Sequence, residues 1–416
     1  MTDLVIRDVT LLACVDQTVA EHVDVTVQGS RIGHIRRTGT PAPPGARVIE
    51  GSGHTLMPGL TDAHVHMALI GPAGDHGAGS WISHVLGVKD VIEATLDDGF
   101  TTVRDAGGLE PAYARAVRAK QIRGPRILPS GSFISQTGGH GDARLAHEAV
   151  HAGTSIPGLV ARPEVVDGAD AVRRAAREQL RRGATQIKVM ASGGVLSPTD
   201  RWSHPQLSLD ELRAAVEVAQ ACDTYVLAHC HSEAALRRVI QAGVRSVEHG
   251  SGLSAAIAAD MAARGSYLVP TLLVLDVILA DSALTDDQRA DITTIKRGSR
   301  RAVRTAMAAG VTVGSGSDLV GPDQRGRARE LARKAEVMGS ATAAILSATR
   351  DNARLFRMAD RIGTVEPGKL ADLILVDGHP LDDITLLADA ARILLVVKGG
   401  VVVKDANGLV CEASRG

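Results

Sequence analysis

The sequence predicts an α/β fold, a (β/α)8 TIM barrel with a small β-sandwich domain formed by both chain ends. Short apolar runs alternate with Ala- and Arg-rich helical stretches through the middle of the chain. Both ends instead carry short β-branched runs broken by turn signals. Aromatic residues make up only 2% of the chain, so the core must be built from Ala, Val, Leu and Ile, as in a barrel lined by parallel strands.

The two chain ends are predicted to form one small domain, residues 1–56 plus 360–416. LVIRDVTLLA and VDVTVQGSRIGHI near the start read as strands, with a turn at Gly29-Ser30. In the tail, LADLILVDG and ARILLVVKGGVVVKD have the same character, and Gly399-Gly400 between two apolar runs signals a hairpin. Two distant β-rich ends most simply pair into one sheet structure.

Residues 57–359 are predicted to form the barrel. Eight apolar runs lie near 60–66, 101–105, 126–131, 184–190, 224–229, 244–249, 267–271 and 311–317. Helical stretches such as 167–183 and 208–222 lie between them, and Ser208 followed by Glu211 is a capping box that places a helix start. In such a barrel, functional residues lie at the carboxyl ends of the strands.

Composition excludes several classes of protein. Lys plus Arg is 46 and Asp plus Glu is 47, which does not favour a nucleic-acid partner. The four cysteines lack Cys-x-x-Cys spacing, so neither a zinc ribbon nor a disulfide scaffold is indicated. The N-terminus shows no signal peptide and no apolar run reaches about 18 residues, so we expect a cytoplasmic protein without a membrane partner.

The stretch MPGLTDAHVHM, residues 57–67, ends an apolar run with His64 and His66. Side chains at positions i and i+2 of a strand point the same way, so the two imidazoles form a potential pair of metal ligands. Alone, such a pair is common on exposed strands. Its significance depends on what closes the other strands.

Polar residues close four further strands of the predicted barrel. One lysine, three histidines and one aspartate lie at or near these ends: Lys188, His229, His231, His249 and Asp318. One buried histidine is more often a core residue than a ligand, but a set converging on one mouth predicts a metal site. An unpaired buried ammonium is costly, and carboxylation of a neutral amine by CO2 would give Lys188 an anionic, bridging role.

These motifs resemble those of the amidohydrolase superfamily. The resemblance covers nearly the whole chain and rests on MPGLTDAHVH, TTVRDAGG (101–108), IKVMASGG (187–194), AHCHS (228–232), VEHG (247–250), GSD (316–318) and PGKLADLILVD (367–377). It implies two divalent metal ions, with zinc as the default. His64, His66 and Asp318 would hold one ion, His229 and His249 the other, and carboxylated Lys188 would bridge them.

The resemblance also implies a reaction. A hydroxide that bridges the two ions would attack an amide or peptide carbonyl, and Asp318 would pass its proton to the leaving amine. The substrate would be a small amide or dipeptide. The Ala-rich helices would permit a homo-oligomer.

The long loop after the third strand, residues 132–150, contains SQTGGHGD. It is similar to a branch with prolidase-like Xaa-Pro and Xaa-Arg carboxypeptidases and ochratoxinase, which implies release of a C-terminal amino acid from a dipeptide or N-acyl amino acid. By that resemblance His140 would contact the scissile carbonyl or its oxyanion. A tight turn at this position is the structural alternative. His231, two residues past His229, would lie over the mouth as a hydrogen-bond donor to substrate, where some relatives carry tyrosine.

Two other functions are compatible with this sequence. One is a cyclic amide or imide hydrolase, or an imidazolonepropionase-like aminohydrolase; such deaminases typically use one metal and lack the bridging lysine. The other is a non-catalytic protein that keeps the fold, although every expected ligand is present. Two, one or no ions per chain would distinguish the three.

Overall fold

The structure is a computed structural model. It describes residues 3–39, 41–71, 81–142, 144, 147, 159, 161–195, 197 and 199–412. The loop predicted to contact substrate is therefore described through residue 142 and only in part beyond it.

Eighteen strands are present in the described part of the chain. They are β1 Leu4–Leu12, β2 Val19–Gln28, β3 Arg31–Arg37, β4 Arg47–Glu50, β5 His54–Pro58, β6 Leu60–Val65, β7 Phe100–Asp105, β8 Arg126–Pro129, β9 Ile134–Ser135, β10 Glu164–Val165, β11 Ile187–Met190, β12 Val226–Cys230, β13 Ser246–His249, β14 Tyr267–Val269, β15 Leu373–Asp377, β16 Ile393–Lys398, β17 Val401–Asp405 and β18 Val410–Glu412.

Eleven α-helices accompany these strands in the same ranges. They are α1 Trp81–Asp97, α2 Pro111–Arg118, α3 Ala169–Arg182, α4 Leu209–Ala221, α5 Glu233–Ala242, α6 Ala255–Arg264, α7 Leu272–Leu279, α8 Asp286–Ala308, α9 Arg329–Met338, α10 Ala341–Leu346 and α11 Asn352–Leu355. A π-helical turn covers Ser347–Asp351, and 3₁₀ turns cover Ile384–Ala388 and Ala390–Arg392. Within the described ranges, no helix combines the length and apolar character that a bilayer span requires.

Strands from both chain ends share one sheet of nine strands. Its main path runs β17-β16-β15-β5-β1-β2-β3, and β4 pairs with both β1 and β18. The predicted hairpin is confirmed: β16 and β17 are antiparallel, and Gly399 and Gly400 have φ angles of 55° and 78°. Two consecutive residues with positive φ are typical of a type I′ turn. The pairing of β5 with both β1 and β15 joins the beginning of the chain to its end.

The middle of the chain forms two wholly parallel sheets with mixed α/β connectivity. One has the order β6-β7-β8, and the other has the order β10-β9-β11-β12-β13-β14. Backbone hydrogen bonds link the flanks of the two sheets. Thr185, just before β11, donates to Pro129 O of β8 at 2.8 Å, and Ala63 of β6 donates at 2.8 Å to Ser315 O, in the segment that Val313 bridges to Leu268 of β14. Parallel strands place their carboxyl ends at the same edge, so the strand-end residues come together there.

The predicted eighth strand, residues 311–317, is not a regular strand. Val313 makes one isolated bridge with Leu268. The side-chain amide of Asn352 adds to the backbone bond from Ala63, because it accepts from Ser315 N–H at 3.0 Å and donates to Ser315 O at 2.8 Å. Gly316 allows this segment to lie against β6, since a Cβ there would be 2.6 Å from His64 Cβ.

The helices follow the predicted pattern and cover the second parallel sheet. The stretch 208–222 contains α4, and its capping box is present: Ser208 Oγ accepts from Glu211 N–H while the Glu211 carboxylate accepts from Ser208 N–H. Val189 and Ala228 lie in a buried cluster with Ala215 of α4 and Leu236 of α5. This side of the strands therefore faces the helices, and alternation sends Lys188 and His229 to the other side.

Candidate metal centre

His64 and His66 lie together at the carboxyl end of β6. Both are buried, and their Nε2 atoms are 3.3 Å apart. Their Nδ1 atoms are each held by a partner, Glu248 Oε2 for His64 at 2.7 Å and Gly107 O for His66 at 2.7 Å. The strand and these partners thus direct both Nε2 atoms to one point.

Asp318 completes a triangle with the two histidines. Its Oδ1 atom is 3.4 Å from Nε2 of His64 and 3.4 Å from Nε2 of His66. Tetrahedral coordination with bonds of about 2.0–2.1 Å gives ligand–ligand separations of about 3.3–3.4 Å. All three sides of the triangle match that value, so the three atoms fit one ion such as Zn²⁺.

A second histidine cluster lies beside this triangle. His229, His231 and His249 offer nitrogen atoms that lie within 4.8 Å of one another. The ring centroids of His229 and His249 are 4.6 Å apart, and those of His64 and His249 are 5.2 Å apart. His249 also belongs to a group with His64 and Asp318 that could hold a metal. The cluster and the triangle are therefore contiguous, as a two-ion centre requires.

Backbone conformation brings His249 into the site. It pairs in register with Cys230, whose side chain packs in the helix-facing cluster, so a regular strand would direct His249 outward. A φ angle of 67° redirects it, and its Nδ1 lies 2.7 Å from Thr271 Oγ1. Thr271 and Asp318 also have positive φ, 47° and 56°. Left-handed conformations in non-glycine residues are unfavourable and concentrate at functional sites.

Lys188 lies on the inner side of β11 and is 1% exposed. Burial lowers the pKa of its amine to about 8, although the carboxylates of Glu248 and Asp318 act in the opposite direction. Burial therefore favours the neutral amine over the ammonium form. A neutral amine in a buried site is the form that can react with CO2.

Burial also sets the protonation of the other groups. It lowers the pKa of His64, His229 and His249 well below the usual value, and that of His66 to about 3. Neighbouring positive charge, including Lys188, acts in the same direction. Neutral imidazoles are the metal-binding form, so the chemistry of this donor set fits divalent cations. Burial raises the pKa of Asp318 to about 7.

His140 and His231 lie at the margin of the histidine cluster. The His140 ring centroid is 4.4 Å from that of His229, and its Nδ1 is 2.5 Å from Ser197 Oγ. The His231 ring stacks on His249 at 4.9 Å, and its Nδ1 is 3.0 Å from Ser251 Oγ. Burial lowers the pKa of His140 to about 4 and of His231 to about 3. Each ring is thus anchored at Nδ1, which leaves Nε2 for another partner.

All eight residues predicted for the site are therefore near one another: His64, His66, His140, Lys188, His229, His231, His249 and Asp318. One functional candidate, Glu248, was not among the residues predicted from the sequence, and its side chain pairs with that of Arg104. Both are 0% exposed, and Arg104 Nη2 is 2.8 Å from Glu248 Oε1. The sequence contained a signal for it. Lys188 was singled out as a charged residue within an apolar strand run, and the same criterion applies to Glu248 in RSVEHGSG.

Comparison with known proteins gives a consistent picture. The model of the amidohydrolase family matches residues 55–403. Ochratoxinase from Aspergillus niger is 33% identical over 371 residues, which cover 84% of this chain and 75% of that protein. A prolidase crystal structure, complexed with N-methylphosphonate-L-proline, matches with a TM-score of 0.92 and 37% identity over 97% of this chain and 100% of that chain.

A third relative has a peptidase title. The crystal structure of a Xaa-Pro dipeptidase with methionine bound in its active site has a TM-score of 0.87 and 28% identity, over 97% of this chain and 100% of that chain. The matches thus extend over the sheet formed by the chain ends as well as the parallel sheets.

Proposed function

Because the chain belongs to the amidohydrolase family and is a hydrolase acting on C–N bonds, we propose that it releases a C-terminal amino acid from a dipeptide or an N-acyl amino acid. The observation that carries the proposal is the triangle of His64 Nε2, His66 Nε2 and Asp318 Oδ1, with sides of 3.3, 3.4 and 3.4 Å. It supports metal-assisted hydrolysis in a site that also contains Lys188, whose amine pKa is lowered by burial.

The proposed centre takes two divalent ions, with zinc as the default. His64, His66 and Asp318 hold one ion, and His229 and His249 hold the other. When bound, such a pair of ions polarises a carbonyl and lowers the pKa of water. The same proposal includes closure of the two parallel sheets into the (β/α)8 barrel, 57–359, beside a β-sandwich domain of 1–56 and 360–416. The two inter-sheet backbone contacts support this closure.

Lys188 is proposed to be carboxylated. Its neutral amine attacks CO2: the N–C bond forms as one C=O π pair moves onto oxygen, the proton lost from nitrogen passes to water, and an anionic carbamate remains. Carboxylation thus replaces a neutral amine with an anion in a site lined by imidazoles. An anion at this position would offset the charge of two cations, and that would account for a lysine on the inner side of β11.

Asp318 is proposed to move the proton of the reaction. Its Oδ1 faces the two imidazoles of β6, while Oδ2 lies 3.9 Å from His249 Nδ1. The carboxylate can therefore accept a proton from the attacking water and give it to the leaving amine. Its backbone N–H is tied to His64 O at 2.8 Å, which fixes the group relative to the ligands.

His140 and His231 are proposed to contact the substrate. Anchoring of each ring at Nδ1 leaves Nε2 to contact the scissile carbonyl, in the case of His140, or another substrate acceptor, in the case of His231. Both rings border His229, so a molecule held by them would lie next to the metal centre. The titles of the prolidase and Xaa-Pro dipeptidase structures support an amino-acid leaving group.

The proposal can be tested with a substrate panel. The zinc-loaded enzyme with bicarbonate at neutral pH would receive N-acyl amino acids, Xaa-Pro, Xaa-Arg and Xaa-Phe dipeptides, and ochratoxin A, with free amino acid as the readout. We expect release that disappears with chelator and in Lys188→Ala. No release by protein that holds two ions would overturn the carboxypeptidase function and direct the search to cyclic amides. One ion per chain would favour an aminohydrolase.

A further inference from the structure

Arg104 and Glu248 form a buried ion pair directly behind the proposed metal centre. Both side chains are fully buried, and Arg104 Nη2 lies 2.8 Å from Glu248 Oε1. A buried ion pair is weak evidence for stability, because desolvation offsets much of the attraction. We propose that this pair is a positioning device that fixes the tautomer and orientation of His64 as a metal ligand. The inference rests on the proposed metal centre.

The two oxygens of Glu248 have different partners. Oε1 accepts from Arg104 Nη2 and from Ser246 Oγ at 2.5 Å, whereas Oε2 lies 2.7 Å from His64 Nδ1. A carboxylate only accepts hydrogen bonds, so His64 Nδ1 must carry the proton. The lone pair of His64 is consequently on Nε2, the atom at the corner of the triangle with His66 and Asp318. Glu248 thus selects the tautomer that can bind an ion.

Arg104 in turn holds Glu248 in place. Its Nε donates to Ala63 O at 2.6 Å, one residue before His64, and its guanidinium lies 5.9 Å from the ring centroids of Tyr225 and Phe356. Arg104 therefore connects the backbone of β6 to the carboxylate that orients the β6 histidine. Because the guanidinium is fixed by these contacts, the carboxylate has one well-defined position.

The partner of His66 is of another kind. His66 Nδ1 lies 2.7 Å from Gly107 O, a neutral carbonyl, whereas the partner of His64 is a carboxylate. A carboxylate partner raises the basicity of a ligand imidazole more than a carbonyl does. The two histidines proposed for this ion therefore differ in basicity. Loss of Glu248 should weaken the binding of this ion more than the binding of the other ion.

The end of β13 contributes to both proposed ion sites, through Glu248 and His249. Glu248 faces inward on β13 and contacts His64, while the next residue, His249, is turned into the site by its positive φ. A change at Glu248 that preserved the backbone would leave the contact of His249 Nδ1 with Thr271 Oγ1 intact. This separation makes the experiment selective.

The experiment compares Glu248→Gln, Glu248→Asp and the double variant Arg104→Met with Glu248→Gln. Zinc affinity of the metal-free protein is measured by competition with a chromophoric chelator, beside the absorption spectrum of the Co²⁺ form and thermal unfolding without metal. We expect Glu248→Gln to lose about 10–100-fold in affinity for one ion. Glu248→Asp should recover part of this loss, because it restores the carboxylate.

The double variant separates positioning from structure. It removes both buried charges, so the metal-free protein should regain the stability that Glu248→Gln alone loses, yet zinc affinity should stay low. Recovery of both properties would show a purely structural pair and overturn the inference. Wild-type affinity in Glu248→Gln would overturn it as well, with the metal centre intact.

A matched control is Glu110→Gln. Glu110 is also a buried carboxylate, 2% exposed, but its ion-pair partner is Arg182 rather than a histidine of the proposed centre. This substitution should lower stability without changing zinc affinity. An equal loss of affinity in this control would overturn a specific role for Glu248. A wild-type protein that takes up no divalent ion would remove both the proposed function and this inference.

Discussion

The backbone N–H of Asp318 donates to the carbonyl of His64 at 2.8 Å, and Oδ1 of the same aspartate lies 3.4 Å from Nε2 of that histidine. The backbone and the side chain of Asp318 thus both lie next to His64. The backbone bond sets the position of the aspartate, and the side chain then falls at ligand distance. Asp318 follows an irregular segment rather than a strand, and its backbone bond to His64 fixes its position in place of regular strand pairing.

The first prediction concerns Asp318→Asn. The amide keeps the shape and one oxygen ligand, and the backbone bond to His64 does not depend on the side chain, so both ions should remain. Turnover should fall by about 10²–10⁴-fold, because an amide cannot accept the proton. Metal content and kcat would be measured on the same preparation. Asp360→Asn, on an exposed residue, is the control. Near-normal turnover of the metal-loaded variant would contradict the role of Asp318.

The second prediction concerns carboxylation of Lys188. Protein equilibrated with ¹³C-bicarbonate should show one carbamate signal by NMR that is absent in Lys188→Met, and the variant should hold at most one ion. Lys398→Met is the control, because burial also lowers the pKa of Lys398 to about 8, yet its amine donates to Gly124 O at 2.6 Å. A signal that disappears in Lys398→Met instead would identify Lys398 as the carboxylated residue and contradict the role of Lys188.

The third prediction separates two roles for His231. If His231 contacts the substrate, His231→Phe should raise KM by about 10-fold or more, because a lost hydrogen bond to substrate costs on the order of 1.5 kcal/mol. Metal content should not change. Loss of one ion would instead identify His231 as a ligand, which its proximity to His229 and His249 would also allow. His204→Phe, at an exposed histidine, provides the comparison.

Much of the site followed from strand-end spacing, because β strands alternate regularly. His64 and His66 share a face for that reason, and Lys188 stood out as a charge in an apolar run. Alternation along β13 would direct the His249 side chain towards the helices, and its positive φ turns the side chain into the site instead. The eighth run lies between β14 and β6 but is not a regular strand, and local pattern could not show this, because part of its hydrogen bonding is with the side chain of Asn352, distant in sequence. Long-range side-chain contacts leave no periodic trace.

The last prediction tests the joining of the chain ends through two glycines. Gly400, in the β16–β17 turn, has φ of 78°, and a Cβ there would lie 1.9 Å from Gly29 O in the β2–β3 turn. Gly408 also has positive φ, 63°, but a Cβ there would meet no atom within 4 Å. Both alanine variants carry the cost of a left-handed alanine, about 1–2 kcal/mol. Only Gly400→Ala must also separate two turns that are distant in sequence.

Overpacking of this kind costs about 1–3 kcal/mol. The free energy of unfolding, measured by urea denaturation, should therefore fall further for Gly400→Ala than for Gly408→Ala by about that amount. Equal losses would mean that the two turns do not touch in solution. Because the parallel sheets containing the proposed metal centre are distant in sequence from both glycines, zinc content should be the same in the two variants, so that a difference in stability reports on the terminal sheet alone.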